Sequence, residues 1–140
     1  MKVPELWLEY ALESVAAADL LYEDGFAVDS VSRAYYAMLY AAEALLTREG
    51  VFLRQSTQVV AALGREMVLS GKLPEVHHRN LVELYTLRKR VDYDVFYQVT
   101  EEETRRQLRR AREFVQWVEK SFPGQRRGWL HRFRRGPSQT

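Results

Sequence analysis

The chain has 140 residues, of which 46% are hydrophobic and 29% charged, and it contains no cysteine. This length and composition suit one globular domain, and the missing thiols exclude disulfides, thiolate nucleophiles and cysteine-ligated metal clusters. The net charge of +2 hides an asymmetry, because five arginines and no acidic residue fall within 121–140, whereas the other 120 residues carry 16 basic and 19 acidic side chains.

No run of about 18 uncharged apolar residues is present, so no membrane-spanning helix is predicted. The first residues include acidic side chains where an export signal needs an apolar segment. We therefore expect a cytoplasmic protein without a membrane partner.

The apolar pattern is helical along most of the chain, and we predict five helices separated by glycine and proline. The first is predicted over about residues 4–22. The second is predicted over about residues 30–49, with Asp29 or Ser30 as its N-terminal cap. Its apolar residues recur at steps of 4 and 3, the spacing of a buried seam. They are Val31, Tyr35, Met38, Ala42 and Leu45.

The third helix is predicted over about residues 56–69, capped by Ser56 or Thr57, and the fourth from about 74 to 91 or 92. Residues 93–99 have the composition of a strand. No second strand is predicted to pair with them, so we expect an extended loop packed on the helices.

The fifth helix has the clearest start, because Thr100 and Glu103 form a capping box next to two more glutamates. One face carries its apolar residues Leu108, Ala111, Val115, Val118 and Phe122. We assign residues 1–122 to a helical bundle and residues 123–140 to a basic, flexible tail. Long helices with short connections predict an all-α, up-down antiparallel bundle of four to five helices.

Two helices also carry polar and aromatic stripes whose members step 3, 4, 3, 4 and so share a helix face. The second helix contributes Arg33, Tyr36, Tyr40, Glu43 and Thr47, and the fourth contributes His78, Leu81, Tyr85, Arg88 and Asp92. Arginine offers a fork of donors that suits phosphate, and tyrosine offers a ring that can stack on a base. The predicted ligand-binding residues are therefore Arg33, Tyr36, Tyr40, His78, Tyr85, Arg88 and Asp92.

The same stripes also fit a helix–helix or subunit interface in which Arg–Asp and tyrosine hydroxyl pairs fix the register. The two interpretations can coincide, because clefts between subunits often hold ligands. Glu75 and His78 have the Glu-x-x-His spacing of di-iron bundles, but such sites need two of these motifs and further carboxylates. We therefore expect no metal site and no cofactor.

The tail alternates arginine with Trp129 and Phe133. This composition fits a segment that binds a nucleic-acid backbone, a segment that lies on an anionic surface, or a segment that only keeps the protein in solution.

Residues 32–46, SRAYYAMLYAAEALL, resemble the second-helix signature of the small prokaryotic HEPN-domain proteins that have an RAYYA-type motif. Residues 88–93, RKRVDY, resemble the family's R-x-x-A-D-Y segment, with Val91 in place of alanine. Residues 16–26 and 100–122 are similar to its first helix with the following turn and to its last helix. The resemblance covers about 120 residues.

This resemblance implies a four- to five-helix bundle that forms a homodimer. It also implies work on nucleotides or RNA beside a minimal nucleotidyltransferase partner in toxin–antitoxin pairs. The positions that match the family are Arg33, Tyr35, Tyr36, Arg88, Asp92 and Tyr93.

The chain departs from the family pattern at the residues that RNA cleavage requires. RNA-cleaving HEPN proteins carry arginine, four to six residues and then histidine near the end of a core helix, whereas Arg88 is followed by aspartates and a tyrosine. Arg126 and His131 have the right spacing but lie in the tail. The imidazole that acid–base cleavage of RNA uses is therefore missing, and the catalytic candidates are Arg88, Asp92 and Tyr93.

Three hypotheses follow. The first is a binding protein without strong catalytic activity, which presents an Arg/Tyr/Asp cleft to a nucleotide or RNA and pairs with a nucleotidyltransferase. The second is a metal-independent endoribonuclease toxin in which Asp92, Tyr93 or His78 replaces the missing imidazole. The third is a structural dimeric helical module.

Overall fold

A computed structural model describes residues 2–122, and these residues are helical except for short connections, with no strand among them. The helices are α1 (Val3–Glu23), α2 (Ala27–Arg48), α3 (Ser56–Ala62), α4 (Glu75–Tyr93) and α5 (Glu101–Lys120). A π-helical segment, Leu63–Val68, continues α3 without a break. The predicted all-α bundle is confirmed.

α2 lies at the centre of the bundle. Its five predicted seam residues are at most 1% exposed. The five apolar residues predicted for the fifth helix are at most 5% exposed, although Phe122 lies just beyond the end of α5. α2 also buries a set of alanines, whose small side chains let the neighbouring helices approach its backbone closely. They are Ala34, Ala37, Ala41, Ala42 and Ala44. Burial of this apolar surface is the main term that holds the bundle together.

The turn between α1 and α2 is a Schellman motif. The Phe26 N–H donates to the Leu21 carbonyl at 2.8 Å, and the Gly25 N–H donates to the Tyr22 carbonyl at 3.1 Å. Gly25 has a φ of +86°, a conformation that residues with a Cβ rarely adopt. The motif reverses the chain within a few residues, so α1 and α2 pack antiparallel. Residues near the start of α1 therefore lie beside residues near the end of α2.

Two predicted N-terminal caps are wrong. α2 begins at Ala27, about one turn before the prediction, so Ser30 lies inside the helix and donates from Oγ to the Ala18 carbonyl at 2.9 Å. The residue that caps α3 is Gln55, one position before the predicted Ser56 or Thr57. A short polar side chain serves inside a helix when a neighbouring carbonyl accepts from it, and sequence pattern does not show that carbonyl.

The loop after α4 packs on the bundle only in part. Val95 and Phe96 are 85% and 91% exposed, whereas Tyr97, Gln98 and Val99 line a groove together with residues 25–29. Val99 also packs against the core. The predicted packing therefore holds for the second half of the loop and is wrong for the first half.

The start of α5 agrees with the sequence in part. The Glu103 N–H donates to the Thr100 Oγ1 at 3.0 Å, which confirms the predicted cap. The Glu103 carboxylate instead accepts from Arg106 and Gln107, so the reciprocal half of the capping box is absent.

The predicted tail, including the Arg126–His131 spacing, lies outside the described residues, so the domain boundary at residue 122 stays a prediction. Within residues 2–122, no helix is both long and apolar enough to cross a membrane.

His77 joins α4 to α5, and its burial predicts that the stability of the bundle depends on pH. Its ring lies 5.3 Å from the Phe114 ring and 5.7 Å from the Trp117 ring, measured between centroids. Its Nδ1 atom is buried without a hydrogen-bond partner in the described part of the chain. Burial lowers the pKa of His77 below 6.5, and the Glu113 carboxylate opposes that effect.

Because the unfolded chain binds the His77 proton more readily than the folded chain, stability should fall as the pH drops from about 6.5 through the folded pKa. Above pH 6.5 the imidazole is neutral in both states and this contribution is fully present. Chemical denaturation of wild type and of a His77→Gln variant between pH 7.5 and pH 5 measures the difference. Equal slopes for the two proteins would contradict the prediction, since all other groups titrate in both.

Candidate functional site

The polar stripes of α2 and α4 meet at Tyr36. The Arg88 Nη2 atom, on α4, donates to the Tyr36 hydroxyl at 3.0 Å, and the Arg88 guanidinium lies 4.9 Å from the centre of the Tyr36 ring. The Arg33 guanidinium, on α2, lies 5.4 Å from the centre of the same ring. Asp92 forms an ion pair with Arg88 at 3.6 Å. We call Arg33, Tyr36, Arg88 and Asp92 the Tyr36 cluster.

The Tyr36 cluster has more positive than negative charge. Arg88 has Asp92 as its ionic partner, whereas Arg33 donates from Nη2 to the neutral Ser14 hydroxyl at 2.8 Å. No carboxylate among residues 2–122 lies within 4.0 Å of the Arg33 guanidinium. Two guanidinium groups around one ring, of which only Arg88 has a carboxylate partner, favour the binding of an anion.

Two polar atoms at the base of the cluster are buried without partners in the described residues. One is the hydroxyl of Tyr35, whose side chain is only 1% exposed, and the other is Nε of Arg88. The Arg88 guanidinium lies 5.1 Å from the centre of the Tyr35 ring. Burial raises the pKa of Tyr35, and the nearby Ser56 hydroxyl and Arg88 charge oppose that effect. Buried donors and acceptors without partners are uncommon and costly, so this end of α4 offers unused hydrogen-bonding capacity.

A row of five aromatic rings runs through the cluster across α1, α2 and α4, and we call it the aromatic ladder. Neighbouring rings along the ladder are 5.4–6.0 Å apart between centroids. In order, they are Trp7, Tyr40, Tyr36, Tyr35 and Tyr85. Tyr10 flanks the ladder beside Tyr40 at 6.0 Å, and Lys89 lies 5.3 Å from the Tyr85 ring.

An open groove of about 350 Å³ lies along the α1–α2 side of the cluster. Its lining consists of Tyr10, Glu13, Ser14, Ala17, Arg33 and Tyr40. The groove therefore gives solvent access to Arg33 next to an aromatic wall. Glu13 is the acidic group in this lining, and its charge makes the groove less favourable for anions near it.

The structure does not bring every predicted site residue together. His78 lies against the π-helical segment, where its Nε2 atom is 3.0 Å from the Val60 carbonyl, and it does not join the Tyr36 cluster. Tyr93 ends α4 with its side chain 83% exposed. Tyr40 and Tyr85 belong to the aromatic ladder on either side of the cluster.

Sequence reasoning missed Trp7, Tyr10 and Ser14 on α1. These residues are spaced i, i+3 and i+7, so they share one helix face. A search of the first helix for a polar and aromatic stripe, of the kind applied to the second and fourth helices, would have found them.

Metal ligation finds no support in the described geometry. Among residues 2–122, no group of three or more histidine, aspartate and glutamate side chains could hold a metal ion. His78 of the Glu-x-x-His pattern instead faces the backbone carbonyl of Val60.

Comparisons with known proteins identify the family. The HEPN domain matches residues 4–121 of this chain. The chain is similar to a Methanocaldococcus jannaschii protein named "Putative toxin MJ0605", with 32% identity over 115 residues that cover 82% of this chain and 85% of that protein. It is similar to a UPF0332 protein of Thermotoga maritima, with 31% identity over 119 residues that cover 85% of this chain and 90% of that protein.

A second Methanocaldococcus jannaschii protein, named "Putative toxin MJ0142", is 28% identical over 116 residues, which cover 83% of this chain and 79% of that protein. These matches confirm the resemblance that the SRAYYAMLYAAEALL and RKRVDY segments indicated. The family match covers nearly all of the described helices, and relatives above 30% identity cover most of the chain. The chain therefore belongs to the HEPN domain family.

Proposed function

We propose that this HEPN protein binds the phosphate groups of a nucleotide or RNA at the Tyr36 cluster, as the toxin-like member of a pair with a minimal nucleotidyltransferase. The observation that carries the proposal is the convergence of Arg33 and Arg88, from two helices, on one tyrosine with a single carboxylate partner. Such convergence is costly in the absence of an anion, because it places like charges around a half-buried group.

The proposed binding mode follows from the donors that are present. A phosphate near Arg88 would accept hydrogen bonds from the remaining guanidinium N–H groups, including the Nε–H that has no partner in the described residues. Arg33 would contribute a second charge from the groove side. The exposed parts of Tyr40 and Tyr10 would offer ring faces on which a base can stack.

Calorimetric titration of the full chain with ATP, with other nucleotides and with short single-stranded RNAs tests the proposal. We expect binding by wild type and about tenfold weaker binding by Arg33→Ala and by Arg88→Ala, since each removes a charge-assisted contact. Arg79→Ala is the matched control, because Arg79 is also on α4 and pairs only with Glu75 at 3.9 Å on the exposed side. Absence of binding by wild type, or equal binding by all four proteins, would remove the site proposal.

From the resemblance to the HEPN family, we further propose that the protein is a homodimer in solution. Light scattering of wild type and Arg88→Ala separates ligand binding from assembly. Conversion of Arg88→Ala to a monomer, without any effect of ligand on wild type, would favour the structural alternative in which the stripes only hold two copies together.

The proposed nucleotidyltransferase partner rests on the family resemblance and on the toxin names of two relatives. Co-expression with a minimal nucleotidyltransferase encoded beside this chain, followed by copurification through a tag on one partner, tests the pairing. Separate elution of the two proteins at physiological salt would contradict it.

A second candidate function is a metal-independent endoribonuclease, favoured by the position of the partly exposed Asp92 carboxylate next to Arg88. Asp92 would accept the proton of the ribose 2′-hydroxyl as its oxygen attacks the phosphorus, and Arg88 would stabilise the charge on the phosphate. The bond from phosphorus to the 5′-oxygen would break, and the departing oxygen would take a proton from water. Incubation of total RNA with the protein in the presence of a chelator tests this activity. Cleavage that Arg88→Ala and Asp92→Asn both lose would support it, and no cleavage by wild type without its partner would count against it.

A further inference from the structure

Glu13 is the acidic side chain of the groove beside the Tyr36 cluster. It lies on α1 and is exposed, and the groove lining also includes Tyr10, Arg33 and Tyr40. Within the described residues, the Glu13 carboxylate forms no ion pair. A carboxylate repels a phosphate, so phosphate binding alone gives this side chain no partner in the groove.

The two ends of the groove differ in chemistry. Near one end the Trp7 and Tyr40 rings stack with 5.6 Å between their centroids, and the Tyr10 ring lies 6.0 Å from that of Tyr40. At the other end Arg33 donates to the Ser14 hydroxyl at 2.8 Å. Trp7 and Ser14 are seven residues apart on α1, and so are Arg33 and Tyr40 on α2. About 10 Å of helix therefore separates the aromatic end from the cationic end.

Glu13 lies between these two ends. Along α1 it follows Tyr10 by three residues, which is about 4.5 Å of helical rise, and it directly precedes Ser14. Side chains on an α-helix lean toward its N-terminus, and this direction takes the Glu13 carboxylate from the level of Ser14 back toward Tyr10. The groups along the groove are therefore, in order, aromatic rings, a carboxylate and a guanidinium.

A nucleotide has three parts in a matching order, with the ribose between the base and the phosphate. A base stacked on Tyr10 or Tyr40 and a phosphate on Arg33 would bring the ribose to the level of Glu13. The ribose hydroxyls are uncharged donors, and a hydrogen bond to an ionised acceptor is stronger than one between neutral groups. Acidic side chains hold the ribose 2′-hydroxyl in this way in dinucleotide-binding folds.

We propose that Glu13 accepts a hydrogen bond from the ribose 2′-hydroxyl and so makes the groove selective for ribonucleotides and RNA over their deoxy forms. This inference rests on the proposed function, because it needs a nucleotide in the groove. In RNA the 3′-oxygen is esterified, so the 2′-hydroxyl is the sugar donor that remains, and by this group a protein distinguishes RNA from DNA. A deoxyribonucleotide would leave the carboxylate close to the phosphate without a compensating hydrogen bond.

Calorimetric titration of the full chain with ATP and 2′-deoxy-ATP, and with short oligo(A) and oligo(dA), measures the selectivity. Each pair shares its bases and phosphates, so the ratio of the two dissociation constants reports on the 2′-hydroxyl. We expect wild type to bind the ribose form about tenfold more tightly, the effect of one hydrogen bond to a charged group. Arg33→Ala should weaken both members of a pair and leave their ratio unchanged.

Variants of Glu13 assign the selectivity to its carboxylate. Glu13→Ala should bring the ratio to about one, and the lost repulsion of the phosphate cancels because it affects both ligands equally. Glu13→Gln keeps an acceptor oxygen without the charge and should retain a preference of about threefold. Glu23→Ala is the matched control, because Glu23 is also exposed on α1 but does not line the groove, and this variant should keep the full ratio.

The results that would contradict the inference differ in what they imply for the proposed function. Equal binding of the ribose and deoxyribose forms by wild type, weakened by Arg33→Ala, would exclude the sugar contact and leave the phosphate site intact. A preference for ribose that survives Glu13→Ala would show that another group reads the 2′-hydroxyl. Weaker binding of both forms by Glu13→Ala at an unchanged ratio would show that Glu13 contacts the base instead. No binding of any of the four ligands by wild type would overturn both proposals.

Discussion

Gly64→Ala is expected to lower the free energy of unfolding by about 1–2 kcal/mol, although alanine normally stabilises a helix relative to glycine by about 0.5–1 kcal/mol. A Cβ at this position would lie 3.0 Å from Nε2 and 3.1 Å from Cε1 of His78. The imidazole cannot easily move away, because its Nε2 lies within hydrogen-bond distance, 3.0 Å, of the Val60 carbonyl. Urea denaturation should show a lower midpoint with an unchanged slope.

A double-mutant cycle isolates the contact. In a His78→Ala background the same glycine change should become neutral or stabilising, which gives a coupling energy of about 1–3 kcal/mol between the two positions. Arg65→Ala is the control for the neighbouring position of the π-helical segment, since its side chain is 60% exposed and pairs with Glu66. An equal cost of Gly64→Ala in both backgrounds would show that the backbone, and not the imidazole, sets the effect.

The helices could be predicted because their information is local. Apolar steps of 3 and 4 identified α2 and α5 and the residues they bury, and glycines identified the turns. The π-helical segment could not be predicted in this way. His78 on α4 approaches this region at Val60 and Gly64, a contact between parts of the chain that are far apart in sequence.

The candidate site shows the same limit. Spacing correctly predicted that Arg33, Tyr36 and Tyr40 share one face of α2. It also put His78 on a face with Arg88, but ten residues of helix separate the two by about 15 Å along the axis. A shared face therefore does not make a shared site. Trp7 and Ser14 of α1 contact Tyr40 and Arg33 of α2. These contacts depend on how α1 packs against α2, and the spacing within one helix does not predict them.

Tyr35→Phe and Tyr36→Phe are expected to change stability in opposite directions, although the two tyrosines are adjacent. The Tyr35 hydroxyl is buried, and the nearby Ser56 hydroxyl does not reach it with the geometry of a hydrogen bond. Its removal should therefore raise the free energy of unfolding by about 1 kcal/mol. The Tyr36 hydroxyl accepts from Arg88 at 3.0 Å, so its removal should lower that energy by about 1 kcal/mol. Thermal or urea denaturation of the two single variants measures both effects.

The pair also connects stability with binding. If the Tyr35 hydroxyl is held in reserve for a ligand, Tyr35→Phe should be more stable than wild type and yet bind a nucleotide or RNA more weakly, as expected when a binding site keeps a costly polar group. A gain in stability without any loss of affinity would assign the hydroxyl no part in binding. A loss of stability would instead show that Ser56, whose hydroxyl lies near Tyr35, accepts or donates a hydrogen bond there in solution. The sign of the stability change thus shows whether the Tyr35 hydroxyl has a hydrogen-bond partner in the free protein. The change in affinity shows whether that hydroxyl contributes to ligand binding.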